Sequence, residues 1–448
     1  MSSKSQQIDM LNGELFKKML FFAIPIGCSN ILQQLFNSAD SAVVGQFAGK
    51  EALAAVGANG PIVSLLVNLF AGLSVGVNVV LANYIGSKNH EKIKELVNSI
   101  IPLGFIAGII IGIFGIAISK FMHIITSTPP DVIDLAILYL RIYFVAMPFI
   151  LLYNYGGAVL RSIGDTKRPL IALFIGGIIN ILLNLLLVIK FGMGVSGVAI
   201  ATVVSNIFSS SIVIYYLFKE QEPFNIDIKN FKFKSPQIKN VISIGLPAGV
   251  QGAVFSISNI SIQSTINSFG SLVMAGSAAA INFENIVYYM ASAFSSTAVT
   301  FVSQNFAAKK YDRCKKIFLE CLCMGFAASL IAGILFFVFS KQALSFITRD
   351  IDIMGEAIKR IEIVTIPIFI ATFYEVPGGA LRGLGKSAIP AIIVLFGTCI
   401  FRLIWVSTVC LTFHKIEIVY MIYPISWTVT AIITSIVYFK ITKKTYGS

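Results

Sequence analysis

The chain has 448 residues, of which 56% are hydrophobic and only 12% charged. Soluble domains carry about 25% charged residues, so this composition excludes a chain solvated mainly by water. A formal charge of +13 raises nucleic acid as a partner, and the distribution of that charge along the chain decides against it.

Twelve apolar stretches run from end to end, near 14–44, 53–84, 96–120, 131–158, 167–190, 193–218, 237–266, 272–305, 314–340, 352–380, 387–411 and 418–440. Each is long enough to cross about 30 Å of hydrocarbon as a helix. Several exceed the minimum, which predicts tilted or protruding helices. With the N-terminus inside, the two tails and the even-numbered connections hold 24 Lys and Arg, including Lys4, Lys17, Lys18, Lys229, Lys232 and Lys234. The opposite loops hold six: Lys50, Lys120, Lys190, Lys341, Arg349 and Lys415. That bias follows the positive-inside rule. It predicts a multi-pass protein of the inner or plasma membrane with both termini cytoplasmic, and it leaves no role for nucleic acid.

In the first span, Asn30, Gln33, Asn37 and Asp40 recur at i, i+3, i+7 and i+10 and share one helical face. Gln34 and Ser41 widen the stripe. A mid-span carboxylate costs about 2.5–3.5 kcal/mol to insert, so Asp40 is expected to face the bundle interior or a watery cavity. The alternative is an Asp wetted at the outer helix end, near the Gly49–Lys50 loop; the polar stripe beside it argues against that. In the third span Gly104, Gly108 and Gly112 form overlapping small-xxx-small steps that suit close helix contact. The fifth span carries Asn180 and Asn184 at i, i+4 in an otherwise aliphatic setting, and the sixth adds Thr202. A carboxylate, two amides and a hydroxyl make an all-oxygen set suited to Na⁺, or to protonation of Asp40 alone. The competing reading of the amides is helix-to-helix hydrogen bonding.

The second half repeats the first. LRSIGDTKRP (160–169) returns as LRGLGKSAIP (381–390), and NYIGSKNHEKIK (83–94) is matched by QNFAAKKYDRCK (304–315). Pro25, Asn37 and Phe47 are echoed by Pro247, Asn259 and Phe269. A nearly constant offset of 221–222 residues marks a duplicated half-protein. Six spans per half return the chain to its starting side, so the repeats are parallel, and such halves predict a transporter with its site at their interface. The expected lobes are 1–218 and 237–448, with 219–236 as a cytoplasmic linker.

Along the second half, Ser256, Asn259 and Gln263 form a stripe on the seventh span. Glu284 and Glu375 lie at membrane depth on the eighth and tenth, as cavity anions or as packing partners of Arg402. Glu375 aligns with Asn154 across the repeat, whereas Asp40 aligns with Ile262, and Asn180 and Asn184 with Phe401 and Trp405. The N-terminal half is therefore expected to carry the ion chemistry. Gln33, Gln34, Asn37, Asn154, Asn259, Gln263, Glu284 and Glu375 are the candidate solute-cavity residues. Pro25 and Pro247, each inside a long span, remove a backbone hydrogen bond and mark either pliable gate helices or fixed kinks.

Six cysteines lacking any CxxC pair read as packing residues, and the first apolar segment is too long for a cleavable signal. His90, His123 and His414 lie at loops or span ends and form no HExxH motif, which argues against an intramembrane enzyme. A flippase for lipid-linked sugars needs several buried basic residues to hold phosphate. Within the spans there are only Arg141, Lys359, Arg360 and Arg402.

PIGCSNILQQLFNSAD (25–40), VVGQFAGKEALAAVG (43–57) and the doubled LRSIGDTKRP motif resemble the multidrug and toxic compound extrusion (MATE) family, and most closely its DinF-like branch. The wider superfamily also includes oligosaccharidyl-lipid and polysaccharide flippases, which keeps a lipid flippase as the alternative. The resemblance implies a MATE-like all-α fold and a secondary antiporter that exports amphipathic, often cationic, organic compounds by rocking-type alternating access. It implies exchange for H⁺ or Na⁺, with no further cofactor, in a protein expected to act as a monomer. In that branch a first-helix aspartate binds the coupling cation, a role that falls to Asp40, with support from Gln34, Asn154, Asn180, Asn184 and Thr202. Two departures stand out. The branch often has an aspartate where this chain has Asn184. The related NorM-like branch places carboxylates near what are here Phe255 and Ala371. Both concentrate the coupling role on Asp40.

Overall fold

In a computed structural model the chain is described over residues 7–126, 128–227, 235–345 and 347–447. Lys4, Lys229, Lys232 and Lys234, with the middle of the expected linker, lie outside the described residues. The described residues contain helices and no strands. This is what hydrocarbon demands, because each helix satisfies its own backbone hydrogen bonds. Eleven helical spans are long and apolar enough to cross a membrane, and a twelfth forms if α4 (Ile133–Val145) and α5 (Met147–Ser162) are taken as one helix bent by 46°. The bend falls at Ala146, just before Pro148, whose missing N–H cannot continue the ladder.

Contacts gather the helices into two compact units. One comprises Cys28–Ile242 together with the short stretch ending at Ile8; the other comprises Asp9–Gly27 together with the chain from Ser243 onward. Helix α1 (Leu15–Phe47) thus contributes its first part to the second unit and the remainder to the first. Pro25 stands just before that division.

The first unit also contains α2 (Lys50–Gly86), α3 (His90–Ile125), α4, α5, α6 (Lys167–Asn184) and α7 (Gly194–Phe218). Its apolar core joins Val44, Phe70, Leu140, Phe144, Met147 and Val198. The glycine stripe of α3 makes this packing possible. A Cβ on Gly104 would meet the Tyr155 ring, one on Gly108 the backbone of Pro148, and one on Gly112 the carbonyl of Phe144. The small residues therefore let α3 lie directly on α4 and α5, as the sequence spacing predicts.

The second unit holds α8 (Ser235–Asn267), most of which falls beyond Ile242, then α9 (Ser271–Ala307), α10 (Tyr311–Val338), α11 (Ser340–Ser345) and α12 (Ile351–Arg360). They are followed by α13 (Thr372–Gly383), α14 (Ala388–Val394), α15 (Phe401–Ser407), α16 (Val409–Thr412) and α17 (Ile416–Tyr446). Its core includes Ile262, Ile266, Val364, Tyr374, Tyr420 and Trp427. Ile262, the repeat counterpart of Asp40, is fully buried there.

The duplication extends to backbone geometry. Gly49 and Gly270 precede α2 and α9 with φ of 89° and 100°, and Lys88 and Lys309 end those helices at φ 54° and 59°. After α5, Gly164 (φ 92°) forms the left-handed cap, with Asp165 N–H donating to Leu160 O at 2.9 Å. After α13, Gly385 (φ 77°) repeats it, with Lys386 N–H donating to Leu381 O at 2.9 Å. This is the glycine cap that ends a helix and reverses the chain, and it explains why the LRxxG motif occurs twice. The two copies differ in crowding. Gly164 also receives the backbone of Ile8, whose N–H donates to Gly164 O at 3.2 Å, whereas nothing lies within 4 Å of a Cβ on Gly385. Gly385→Ala is therefore expected to lower stability by about 1–2 kcal/mol, the left-handed penalty alone. Gly164→Ala should cost clearly more, read as a larger drop in the detergent unfolding temperature.

Candidate cation and solute site

The fifth-span amides reach Asp40 because two glycines lie one turn before them. A Cβ on Gly176 would strike Ser209 of α7, and one on Gly177 would strike the Phe36 ring of α1. Helix α6 is thereby pressed against both neighbours. Asn184 Nδ2 donates to Asp40 Oδ1 at 2.5 Å and to Asn180 Oδ1 at 3.2 Å. The Asn180 amide and the Thr202 hydroxyl are also within hydrogen-bonding reach of the Asp40 carboxyl. Thr202 meanwhile donates to Val198 O of its own helix at 3.0 Å. Asp40 is 9% exposed, Asn180 4% and Asn184 0%. No Lys, Arg or His forms an ion pair with Asp40 among the described residues.

One atom in this cluster is unsatisfied: Asn184 Oδ1 is buried and accepts no hydrogen bond. A buried polar oxygen without a partner carries a desolvation penalty of about 1–3 kcal/mol, so it favours a proton donor or a cation beside it. Immediately after Asn184 the helix widens into a π-type turn over Leu185–Lys190, a distortion often found at functional sites. Tyr139 and Tyr143 of α4, stacked at 6.2 Å, lie within electrostatic range of Asp40. Sequence reasoning missed both. Their i, i+4 spacing on one face of the fourth span was the available signal.

The other predicted site residues lie apart from this cluster. Gln33 and Asn37 are exposed on α1, and Gln34 is half-buried. Asn154 donates to Ile150 O of its own helix at 2.8 Å. In the second unit, Gln263 donates to Asn267 one turn on, at 2.8 Å. Glu375 accepts from the Tyr288 hydroxyl at 2.7 Å. Glu284 is held by Arg360 through two bonds of 2.6 and 2.9 Å. Arg360 also donates to Ser277 at 2.8 Å and lies over Tyr420 and Tyr423. Arg402 pairs with neither glutamate. It donates to Asn259 and Ser426 at 3.0 Å each and sits over the rings of Phe255 and Tyr423. Pro25 and Pro247 both lie inside continuous helices.

The MatE family model matches residues 25–186 and again 247–406, one match per repeat and most of the chain together. The chain belongs to the MatE family. The Bacillus subtilis protein named "Probable multidrug resistance protein YoeA" is 27% identical over 433 residues, covering 94% of this chain and 92% of its own. The Thermotoga maritima "Probable multidrug resistance protein NorM" is 25% identical, covering 87% and 84%. A solved structure described as the outward-facing conformation of a multidrug resistance MATE family transporter superposes with a TM-score of 0.91 at 21% identity over 99% of both chains. That last likeness establishes the fold, twelve spans arranged as two repeats.

Within this MatE chain the basic side chains of the spans are dispersed. Arg141 donates to Ser119, Lys359 pairs with Glu356, and Arg360 is consumed by Glu284. They build no phosphate cradle. The Glu284–Arg360 pair is a structural clamp between α9 and α12, and removing one partner strands the other in a dry interior. Arg360→Met is expected to lower stability by about 3–5 kcal/mol. The Glu284→Leu/Arg360→Met double variant should regain most of that loss. Thermal unfolding of the purified protein in detergent checks both.

Proposed function

We propose that this protein is a secondary active antiporter of the inner or plasma membrane that exports amphipathic, often cationic, organic compounds in exchange for H⁺ or Na⁺. The named multidrug relatives support the solute class, and the charge asymmetry of the loops supports cytoplasmic termini. The solute is moved without chemical change, and a monomer suffices. The repeats, taken as lobes over 1–218 and 237–448 joined by the linker 219–236, are the bodies that alternate. The first helix bends at Pro25.

One observation carries the reading: Asp40 is buried among neutral oxygens and amides, beside a carbonyl oxygen that lacks a partner. When ionised, Asp40 accepts the Asn184 N–H. On protonation its O–H needs an acceptor, and rotation of the Asn184 amide presents Oδ1 in place of Nδ2. Na⁺ would instead take the Asp40 carboxylate, the carbonyl oxygens of Asn180 and Asn184, and the Thr202 hydroxyl, all hard donors. Either route converts a buried charge into a neutral unit. The energetics are sufficient. One charge moved through ~100 mV supplies ~2.3 kcal/mol, which sustains roughly a fortyfold solute gradient. Gln33, Gln34, Asn37, Asn154, Asn259, Gln263 and Glu375 are the polar groups offered to the solute, while Glu284 is committed to Arg360.

The test is solute efflux from proteoliposomes under separately imposed ΔpH and ΔNa⁺. Wild type should respond to one of them. Asp40→Asn should abolish the gradient response, and Glu375→Gln, which removes the charge but keeps an acceptor oxygen for the Tyr288 hydroxyl, should keep it while altering solute affinity. Full gradient-driven efflux by Asp40→Asn would sink the assignment.

A further inference from the structure

Asp40 and Asn184 meet at one end of a longer contact between α1 and α6, and the residues concerned all belong to the first unit. On α1, Phe36 precedes Asp40 by four residues, so ring and carboxyl lie on one face, a turn apart. On α6, Gly177, Asn180 and Asn184 recur at i, i+3 and i+7 and likewise share a face. The two faces meet in register. A Cβ on Gly177 would overlap the Phe36 ring, and further along both chains Asn184 Nδ2 donates to Asp40 Oδ1 at 2.5 Å. The helices therefore run parallel here, with the aromatic contact one turn before the polar one on α1 and two turns before it on α6.

Helix propensity does not favour glycine at 177, since glycine in a helix interior is less stable than alanine. What it provides is approach: the Phe36 ring fills the place that a side chain on 177 would occupy. At the same level Gly176 ties α6 to α7, where a Cβ would overlap Ser209 Oγ and meet Ser205 O at 3.0 Å. With α6 fixed on that side, a methyl group at 177 must displace the Phe36 ring or push α1 away. The polar end of the contact is sensitive to such a shift. An N–H···O bond is lost once its heavy atoms part beyond about 3.5 Å, so a movement of about 1 Å decides whether Asn184 still reaches Asp40.

We propose that Phe36, seated on Gly177, is a positioning residue that sets the spacing of α1 and α6 and so holds the Asp40 carboxyl against the Asn184 amide. The phenyl ring offers a cation no ligand; it acts through Asp40. This deepens the antiporter reading and rests on it, because the spacing matters to transport only if Asp40 is the coupling carboxylate. The ring is half-buried, and its bulk carries the role. The pair therefore behaves as one volume shared between two helices, and a smaller side chain at 36 compensates for a methyl group at 177.

Efflux from proteoliposomes holding the full chain, titrated in the driving cation, tests this. Gly177→Ala should change the half-saturating cation concentration about tenfold, the equivalent of one hydrogen bond to a charged group. The half-saturating solute concentration, measured at saturating cation, should stay unchanged. Phe36→Leu removes bulk without a clash and should shift the cation titration as well. Gly177→Ala/Phe36→Leu should return it towards wild type, a rescue that general destabilisation would not give. Gly355→Ala, on a helix where a Cβ meets nothing within 4 Å, should titrate as wild type does. Asp40→Asn in the same assay separates the two ideas. Full gradient-driven efflux by Asp40→Asn overturns the coupling assignment and this inference with it. Where Asp40→Asn is inactive, three results overturn the positioning role alone: a wild-type cation titration by Phe36→Leu, a double variant no better than Gly177→Ala, or an equal shift in Gly355→Ala.

Discussion

A charge placed inside hydrocarbon must be paired, neutralised or wetted, and the polar interior of this protein is organised by how each buried charge meets that demand. Glu284 and Arg360 pair with one another, and Arg360 also lies over two aromatic faces. Arg402 is met by neutral oxygens and two rings. In the first turn of α6, Arg168 bridges Asp165 and Glu220. Asp40 is surrounded by amides and a hydroxyl from two neighbouring helices, and Glu375 is met by the Tyr288 hydroxyl. A carboxylate locked to arginine cannot give up its charge without stranding the cation. A carboxylate held only by neutral dipoles can, because no countercharge is left behind. The same constraint that makes Glu284 a clamp leaves Asp40 able to lose its charge without stranding a cation.

The repeat sharpens this contrast. Turn geometry is copied closely, from Gly49 and Gly270 to Gly164 and Gly385. The interior chemistry is inverted. Where the first unit has Asp40, the second has Ile262 sealed in apolar packing. Where α6 presents Asn180 and Asn184, the second copy presents Phe401 and Trp405, whose rings lie 5.9 Å apart. Between those two stands Arg402, bound to Asn259, the counterpart of Asn37. The second unit therefore carries its own fixed cation among the residues that correspond to the cation-attracting set of the first. A like charge disfavours a second cation there by Coulomb repulsion.

Much of this was legible in the sequence for definite reasons. Lipid permits few backbone solutions, so the spans follow from hydropathy. The cost of inserting a carboxylate singled out Asp40, and the i, i+4 spacing of Asn180 and Asn184 put both amides on one face. The glycine steps of α3 announced a close contact before its partner was known. What periodicity could not supply was the neighbour. It fixes which face a residue occupies and says nothing of which helix lies opposite. Glu284 meets Arg360, 76 residues away, while sequence reasoning offered Arg402 as its packing partner. Tyr139 and Tyr143 come into range of Asp40 only through the packing of α4. Asn154 and Gln263, polar and well placed, turn back on their own helices.

The strength of the Asp40 network is itself informative about alternation. A bound cation shifts a conformational equilibrium only by its differential contacts with the two states. The contact at issue is a hydrogen bond to a charged acceptor, worth about 1.5–3 kcal/mol. This corresponds to a shift of roughly ten- to 150-fold in population. It is comparable to the ~2.3 kcal/mol that one charge gains from a 100 mV potential. Were Asp40 instead paired with a buried arginine, the contact would exceed the driving force and one state would persist. Were it merely wetted, its titration would leave α1 indifferent. Asp40 lies about 22 Å along the helix from Pro25 at 1.5 Å per residue, on the part of α1 that packs in the same unit as α6. A single carboxylate held by neutral groups is thus matched in magnitude to the potential a membrane supplies.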